Sequence, residues 1–491
     1  MISDRPLRRI IINGAVLMIF TLLAMAVQSV AAQTQTQEPQ KASSEVEQLK
    51  DKLQKLEQTV QELKTQLAEM EKVKKTPVPI KFSQPSAPTP AEQPAASGSS
   101  NPAGEGNNSN NKQDKNGEST FQVYGYVMLD AGYQFNQNDP DWFDVVRPTK
   151  LPAFRDQFAP DGKTFFGVRQ SRFGVKSGTP TRFGELKTQF EFELFGTGVD
   201  AGQTTFRLRH AYGELGHFGA GQTWSPFMDI DVFPNSLEYW GPNGMVFFRN
   251  IQFRYMPLKG NNAVTIALER PGASGDQGVL TDRIELQGIR PKFDLPDLSG
   301  HARFTRNWGH VQIAGMLRRI KWVDTLDDQF DLSGTEVGWG VNVSSNIKLG
   351  KNDIVRLQAV YGEGVQNYMN DAPVDVGIQR NESSDPARPI EGTALPVLGL
   401  VSFLDHNWSK RFSSSIGYSL VNIENSEGQS PDAYHRGHYA LTNLLFSPVE
   451  NVMVGGEFQY GRRENFRNGF ASNDYRIQFS FRYNFSRLFA F

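Results

Sequence analysis

The stretch DYRIQFSFRYNFSRLFAF, residues 474–491, decides how the rest of the chain is read. Its odd positions are Tyr475, Ile477, Phe479, Phe481, Tyr483, Phe485, Phe489 and Phe491, broken by Arg487. Its even positions are Arg476, Gln478, Ser480, Arg482, Asn484 and Ser486. Successive side chains of a strand point to opposite faces, so the segment has one aromatic face and one wet face. A soluble sandwich would bury the aromatic face against a second sheet. A membrane barrel turns it to lipid and keeps the polar face inside. One strand fits both, and the aromatic strand ending in Phe491 favours the barrel.

Working outward, composition narrows the choice. The formal net charge of −2 argues against nucleic acid as a partner. The absence of cysteine excludes disulfides, thiol chemistry and Cys-based metal sites. No long unbroken apolar run follows residue 30. That leaves no helical span in the mature chain, but a barrel hides its hydrophobicity in alternation.

The amino-terminal part divides into three pieces. Residues 1–32 read as a secretory signal peptide, with Arg5, Arg8 and Arg9, an apolar run from Ile10 to Val27, and small residues at the cleavage site. An uncleaved anchor helix is the competing reading, and the polar Gln/Thr tract that follows favours cleavage. Within 33–75, Val46, Leu49, Leu53, Leu56, Val60, Leu63, Leu67 and Met70 form a heptad seam. At 1.5 Å per residue it is roughly 37 Å long and predicts an α-helical coiled coil in the periplasm. Residues 76–118 pass from Pro/Ala/Ser to Gly/Asn/Ser and read as a disordered linker.

Residues 119–491 are expected to form an all-β, transmembrane antiparallel barrel. Candidate strands run near 121–134, 164–176, 184–197, 203–215, 217–223, 249–257, 262–270 and 300–307. The rest lie near 309–319, 335–347, 353–361, 397–406, 412–422, 437–447, 451–462 and 473–485, for sixteen strands. The connections alternate between long and short. Residues 135–163, 224–248, 271–299, 320–334, 362–396, 423–436 and 463–472 are long, as expected of outside loops. Short turns lie between them, on the periplasmic side with both chain ends. Asp282–Gly288 is assigned to a loop, because a further strand would put 362–396 on the wrong side. A soluble sandwich accounts for neither the loop alternation nor the terminal Phe.

Parity then assigns faces. Glu185, Lys187, Gln189, Glu191 and Glu193 lie opposite Leu186, Phe190, Phe192 and Leu194. Arg207, Arg209, Arg254, Arg318, Arg356, Arg476 and Arg482 likewise fall on inward faces, with Arg172 and Arg303 beside less regular neighbours. An arginine at mid-depth on the lipid face is costly, so parity is a physical constraint. Together these nine side chains suggest a track for anions. They could instead brace the wall against Glu185, Glu191, Glu193 and Glu457, but the arginines outnumber those carboxylates. Loop 224–248 is aromatic and proline-stiffened, which suggests burial in the lumen or at a subunit interface. Folded inward, it would narrow the channel and set Asp229, Asp231 or Glu238 against the arginines. No catalytic residue, metal site or cofactor is read from the chain: the histidines are scattered, and no G-x-S-x-G or Walker-type loop occurs.

The chain resembles the DcaP-like trimeric outer-membrane porins. The resemblance rests on FQVYGY at 121–126, RQSRFGVK at 169–176, RLRHAYG at 207–213 and GQTWSPF at 221–227. It implies a homotrimer in the outer-membrane bilayer, with a periplasmic amino-terminal coil, passing small anions such as dicarboxylates. Arg172, Arg207 and Arg209 match motif positions whose arginines line the pore in such proteins. A sugar-specific porin carrying a coiled coil, and a structural barrel that tethers the envelope, remain the rival readings.

Overall fold

The computed structural model describes residues 118–491 apart from Ser384. The signal, heptad and linker segments therefore lie outside the described residues.

Sixteen antiparallel strands close on themselves. They are β1 (Thr120–Gln134), β2 (Lys163–Gly167 and Arg172–Thr181), β3 (Gly184–Phe195), β4 (Thr204–Leu215), β5 (Phe218–Trp224), β6 (Arg249–Leu258), β7 (Asn262–Glu269) and β8 (Asp297–Arg306). Then come β9 (Gly309–Asp324), β10 (Gly334–Leu349), β11 (Asp353–Glu363), β12 (Pro396–Asn407), β13 (Phe412–Ile423), β14 (Tyr434–Phe446), β15 (Val452–Asn465) and β16 (Ala471–Ala490). Each pairs with the next, and β1 pairs with β16 from Thr120↔Ala490 to Gln134↔Arg476. That closure removes the free edges that an open sheet would expose.

The apolar side chains face the wrong way for a soluble protein. Val127 and Leu129 on β1, Ile251 and Phe253 on β6, Ile313 and Leu317 on β9, and Phe479 and Phe481 on β16 are all exposed. Their alternating neighbours, such as Asp130, Gln252, Gln312 and Gln478, are buried. An unbroken apolar exterior with polar residues inside is the arrangement lipid demands.

Long connections lie on one rim and short turns on the other. The second strand is split at 168–171, and its turn shrinks to Arg182–Phe183 because pairing continues to Thr181↔Gly184. Loop 320–334 shortens to 325–333, since β9 and β10 stay paired up to Trp322↔Gly334. Asp282–Gly288 forms no strand and carries a 3-10 turn at Ile284–Leu286. The sequence reading missed a small hairpin inside the 364–395 connection, pairing Val376–Arg380 with Ile390–Ala394.

The inner wall differs from an evenly wet tube. On β9–β14 it carries Ala314, Met316, Val360, Val401, Phe403, Val421 and Leu441, packed against Phe227, Met228, Val232, Met245 and Val246. Those last five belong to loop 225–248, which lies inside the barrel and needs an apolar seat. On β2–β4 the inner face instead carries a cluster of charged side chains, including Arg172, Glu191, Glu193 and Arg209.

Candidate functional site in the barrel interior

Loop 225–248 is held by the wall at both ends and along its length. At its start, the Asn342 and Gln312 amides donate to the carbonyls of Phe227 (2.8 Å) and Met228 (2.9 Å). Asp229 accepts from His310 Nε2 and the Ser344 hydroxyl, each at 2.7 Å, and pairs with Arg303 at 3.3 Å. Burial alone would raise the Asp229 carboxyl, but His310, Arg303 and Ser344 outweigh it and hold it below the usual range. Asp231 also pairs with Arg303. Further along, Glu457 accepts from the backbone N–H groups of Leu237 (2.7 Å) and Glu238 (3.0 Å). Near its end, Gly244 N–H donates to Ser419 Oγ at 2.9 Å. The loop thus spans the lumen from β8–β10 to β13–β15.

The charged arc is built by alternation on β3 and an irregularity on β4. Glu191 and Glu193 are fully buried on the inner face of β3. Opposite them the register slips, with Glu191 facing His210 and Phe192 facing Leu208. The resulting bulge turns both Arg209 and His210 inward. Arg209 bridges the two carboxylates, Nε to Glu191 at 2.5 Å and Nη1 to Glu193 at 2.7 Å. Arg172 lies at 3.7 and 3.5 Å from the same pair. Arg207 and Arg249 each approach Glu193 at 3.8 Å, and the Tyr239 hydroxyl donates to it. Four guanidinium groups therefore share two carboxylates. Arg249 Nη1, although buried, has no hydrogen-bond partner among the described residues.

Arg249 and Arg207 line a cavity of about 280 Å³. Its other walls include Gln222, Asn367 and Asn370, with Tyr239, Trp240, Phe247 and Phe248 as an aromatic side. Arg249 sits 4.7 Å over the Trp224 ring, which fixes the guanidinium plane.

The structure brings Arg172, Arg207 and Arg209 together, sets Arg482 beside Arg172 on the shared Tyr126 ring, and places the other five predicted arginines elsewhere. Arg303 closes on Asp229 and Asp231. Arg318 pairs with Asp297 (3.3 Å) and Asp375 (3.2 Å), and Arg356 with Asp405 (2.6 Å). Arg254 donates to the Trp224 carbonyl at 2.6 Å, and Arg476 to that of Asp144 at 2.6 Å. Arg482 stacks on Tyr126, 5.3 Å from its ring centre. A continuous track of free arginines is therefore not formed, because buried cations recruit carboxylates or carbonyls.

Of the loop acids, Glu238 forms no ion pair among the described residues, although the Arg476 charge acts on it from a distance. It accepts from Val146 N–H (3.2 Å), Gly241 N–H (2.5 Å) and the Tyr439 hydroxyl (3.1 Å). Burial lifts its carboxyl to about 7. Asp229, Asp231 and His310 form the one group of metal-donor side chains within reach of one another among the described residues. Arg303 already pairs with both of its carboxylates. The sequence could not show this trio, because His310 lies some eighty residues away on β9.

Apolar outside, charged inside, short turns on one rim and long loops on the other define an outer-membrane β-barrel protein. The family model described as DcaP outer membrane protein matches residues 103–485, and the chain belongs to that family. The outer-membrane channel DcaP of Acinetobacter baumannii is similar in structure, with a TM-score of 0.62 at 21% identity, covering 75% of this chain and 97% of that one. An anion-selective porin from Comamonas acidovorans gives 0.48 at 11% identity over 75% and 100%. The loop-deleted OmpT of Vibrio cholerae gives 0.46 at 13% over 75% and 99%. No protein of curated function matches the sequence.

Proposed function

We propose that this protein is a passive outer-membrane diffusion channel that prefers small anions, dicarboxylates included, and works as a homotrimer with its heptad segment in the periplasm. The observation that carries the reading is the excess of guanidinium over carboxylate beside the cavity, with a hydrogen-bonding nitrogen of Arg249 left unused. A desolvated cation with spare donors attracts an anion and pairs with carboxylate in a fixed geometry. Loop 225–248 confines passage to the charged arc, since its apolar seat fills the opposite one.

The test is conduction in planar bilayers under a salt gradient. The native protein should give a reversal potential of anion-preferring sign, and Arg207→Ala with Arg249→Ala should move it toward zero. Cation preference in the native protein would sink the proposal. A sugar channel is the second reading, favoured by the aromatic side formed by Tyr239, Trp240, Phe247 and Phe248. Block of single-channel current by oligosaccharides but not by dicarboxylates would select it.

A further inference from the structure

The outer face of β6–β10 carries a feature unrelated to conduction. Phe253, Leu268, Leu298, Leu317 and Trp339 face one another in register across these strands and form a row of the apolar exterior, with Ile251 and Val337 exposed one step above it. Trp339 also meets Tyr361, with ring centres 5.9 Å apart, as befits a membrane interface. Above this row the outward side chains of β9 become basic. Arg319 and Lys321 continue the outer face of β9, roughly 7 and 13 Å beyond Leu317 at the usual rise of a strand.

The segment 289–292 pairs along the same rim. Lys292 N–H bonds to the Lys321 carbonyl at 2.8 Å, and Arg290 stands opposite Val323. Arg290 is held there by donating to the carbonyls of Gln287 and Ile289. Among the described residues the one carboxylate that pairs with any of these cations is Asp294, at 3.4 Å from Arg319 and 3.6 Å from Lys321. Asp294 also lines a groove of about 420 Å³ on the lipid-facing wall, together with Ile251, Phe253, Leu268, Phe293 and Leu295, with Arg270 at its edge. Phe293 and Leu295 are exposed, although a loop above the membrane has no need of apolar side chains.

We propose that this groove and rim bind a phosphate-bearing lipid of the outer leaflet, an acyl chain lying in the groove and its phosphate meeting Arg319, Lys321 and Lys292. Charge decides the occupant. Asp294 offsets one of the four positive charges of Arg290, Lys292, Arg319 and Lys321, and an anionic headgroup at this height complements the rest. The groove meets the apolar row where a lipid's own polarity changes, so one molecule satisfies both parts.

The test uses the purified full-length protein and counts bound lipid by native mass spectrometry. The probe is a bis-phosphorylated, acylated glucosamine lipid, compared with phosphatidylcholine and with inorganic phosphate as competitor. Arg319→Gln with Lys321→Gln and Lys292→Gln should weaken retention about tenfold or more at moderate salt. Phe293→Ser with Leu295→Ser should weaken it with the charges intact. Arg436→Gln with Arg462→Gln, a pair of cations on β14 and β15 that share Glu464 far from the groove, should leave it unchanged. Heat-modifiable migration verifies folding of each variant. Equal retention by parent and rim variant, equal retention of phosphatidylcholine, full displacement by inorganic phosphate, or cross-linking of copies through Phe293→Cys would overturn the proposal.

Discussion

Glu238 shows what a single buried carboxyl does to this barrel. Fully enclosed, it is lifted from 4.5 to about 7 by burial, against the pull of the Gly241 and Trp240 backbone groups. An acid with a higher pKa folded than unfolded holds its proton more tightly in the native state. The stability it contributes is thus present at low pH and lost as pH rises between the two values, at most about 3 kcal/mol. Between pH 5 and 8 the native protein should lose thermal stability, read as the temperature of the heat-modifiable shift. Glu238→Gln should flatten that dependence, and an unchanged slope would assign it elsewhere. The sequence marked Glu238 as an acid in an aromatic loop but could not show that backbone amides and Tyr439 surround it. Arg249 was missed for another reason. Ile251, Phe253 and Tyr255 face out, so simple alternation sends Arg249 out as well. Yet β5 pairs with β4 only over 211–215, which leaves the upper part of β4 unpartnered on that side. Through this gap Arg249 turns past Trp224 to reach Glu193.

Among the elements, loop 225–248 is the one that fills part of the barrel interior, seated on the inner wall. Its prolines and aromatics announce burial from the sequence alone. Its seat is invisible there, because the anchoring side chains are spread over β8 to β16 and meet only once the barrel closes. The tightest approach is at Gly244, which lies against the backbone of β12 and β13. A Cβ there would overlap the carbonyl oxygen of Leu420 and press on that of Leu400 at 2.8 Å. Gly399 faces it with the same restriction, since its own Cβ would run into the Gly244 carbonyl. No flexible side chain can yield at this contact, so the loop or the wall must move. Gly244→Ala should therefore destabilise the barrel by about 1–3 kcal/mol, as overpacking does. It should also raise or destabilise single-channel conductance as the loop lifts from its seat. Native-like, quiet channels from Gly244→Ala would show that the loop does not limit conduction.

At the scale of the whole molecule, closure is self-contained. Ser119 and Phe491 exchange backbone hydrogen bonds at 3.0 and 2.9 Å, and pairing continues without a break from Thr120↔Ala490 to Gln134↔Arg476. The aromatic carboxyl-terminal strand thus completes the cylinder against the first strand. This is why alternation in residues 474–491 carried so much of the fold, while the unequal strand lengths were harder to see. β5 and β7 span only seven and eight residues, and nothing in their alternation sets them apart from the longer strands. Since the first barrel residue pairs with the last, the described strands close without calling on residues 33–117. Their deletion behind an intact signal should leave a folded, heat-modifiable barrel whose single-channel conductance and anion preference match those of the parent. If the heptad segment 46–70 joins copies or tethers the envelope, the deletion should instead lower the oligomeric state in mild detergent or loosen the envelope, measured by release of periplasmic protein. A barrel that fails to fold or conduct without residues 33–117 would mean that the cylinder depends on them despite its closed register.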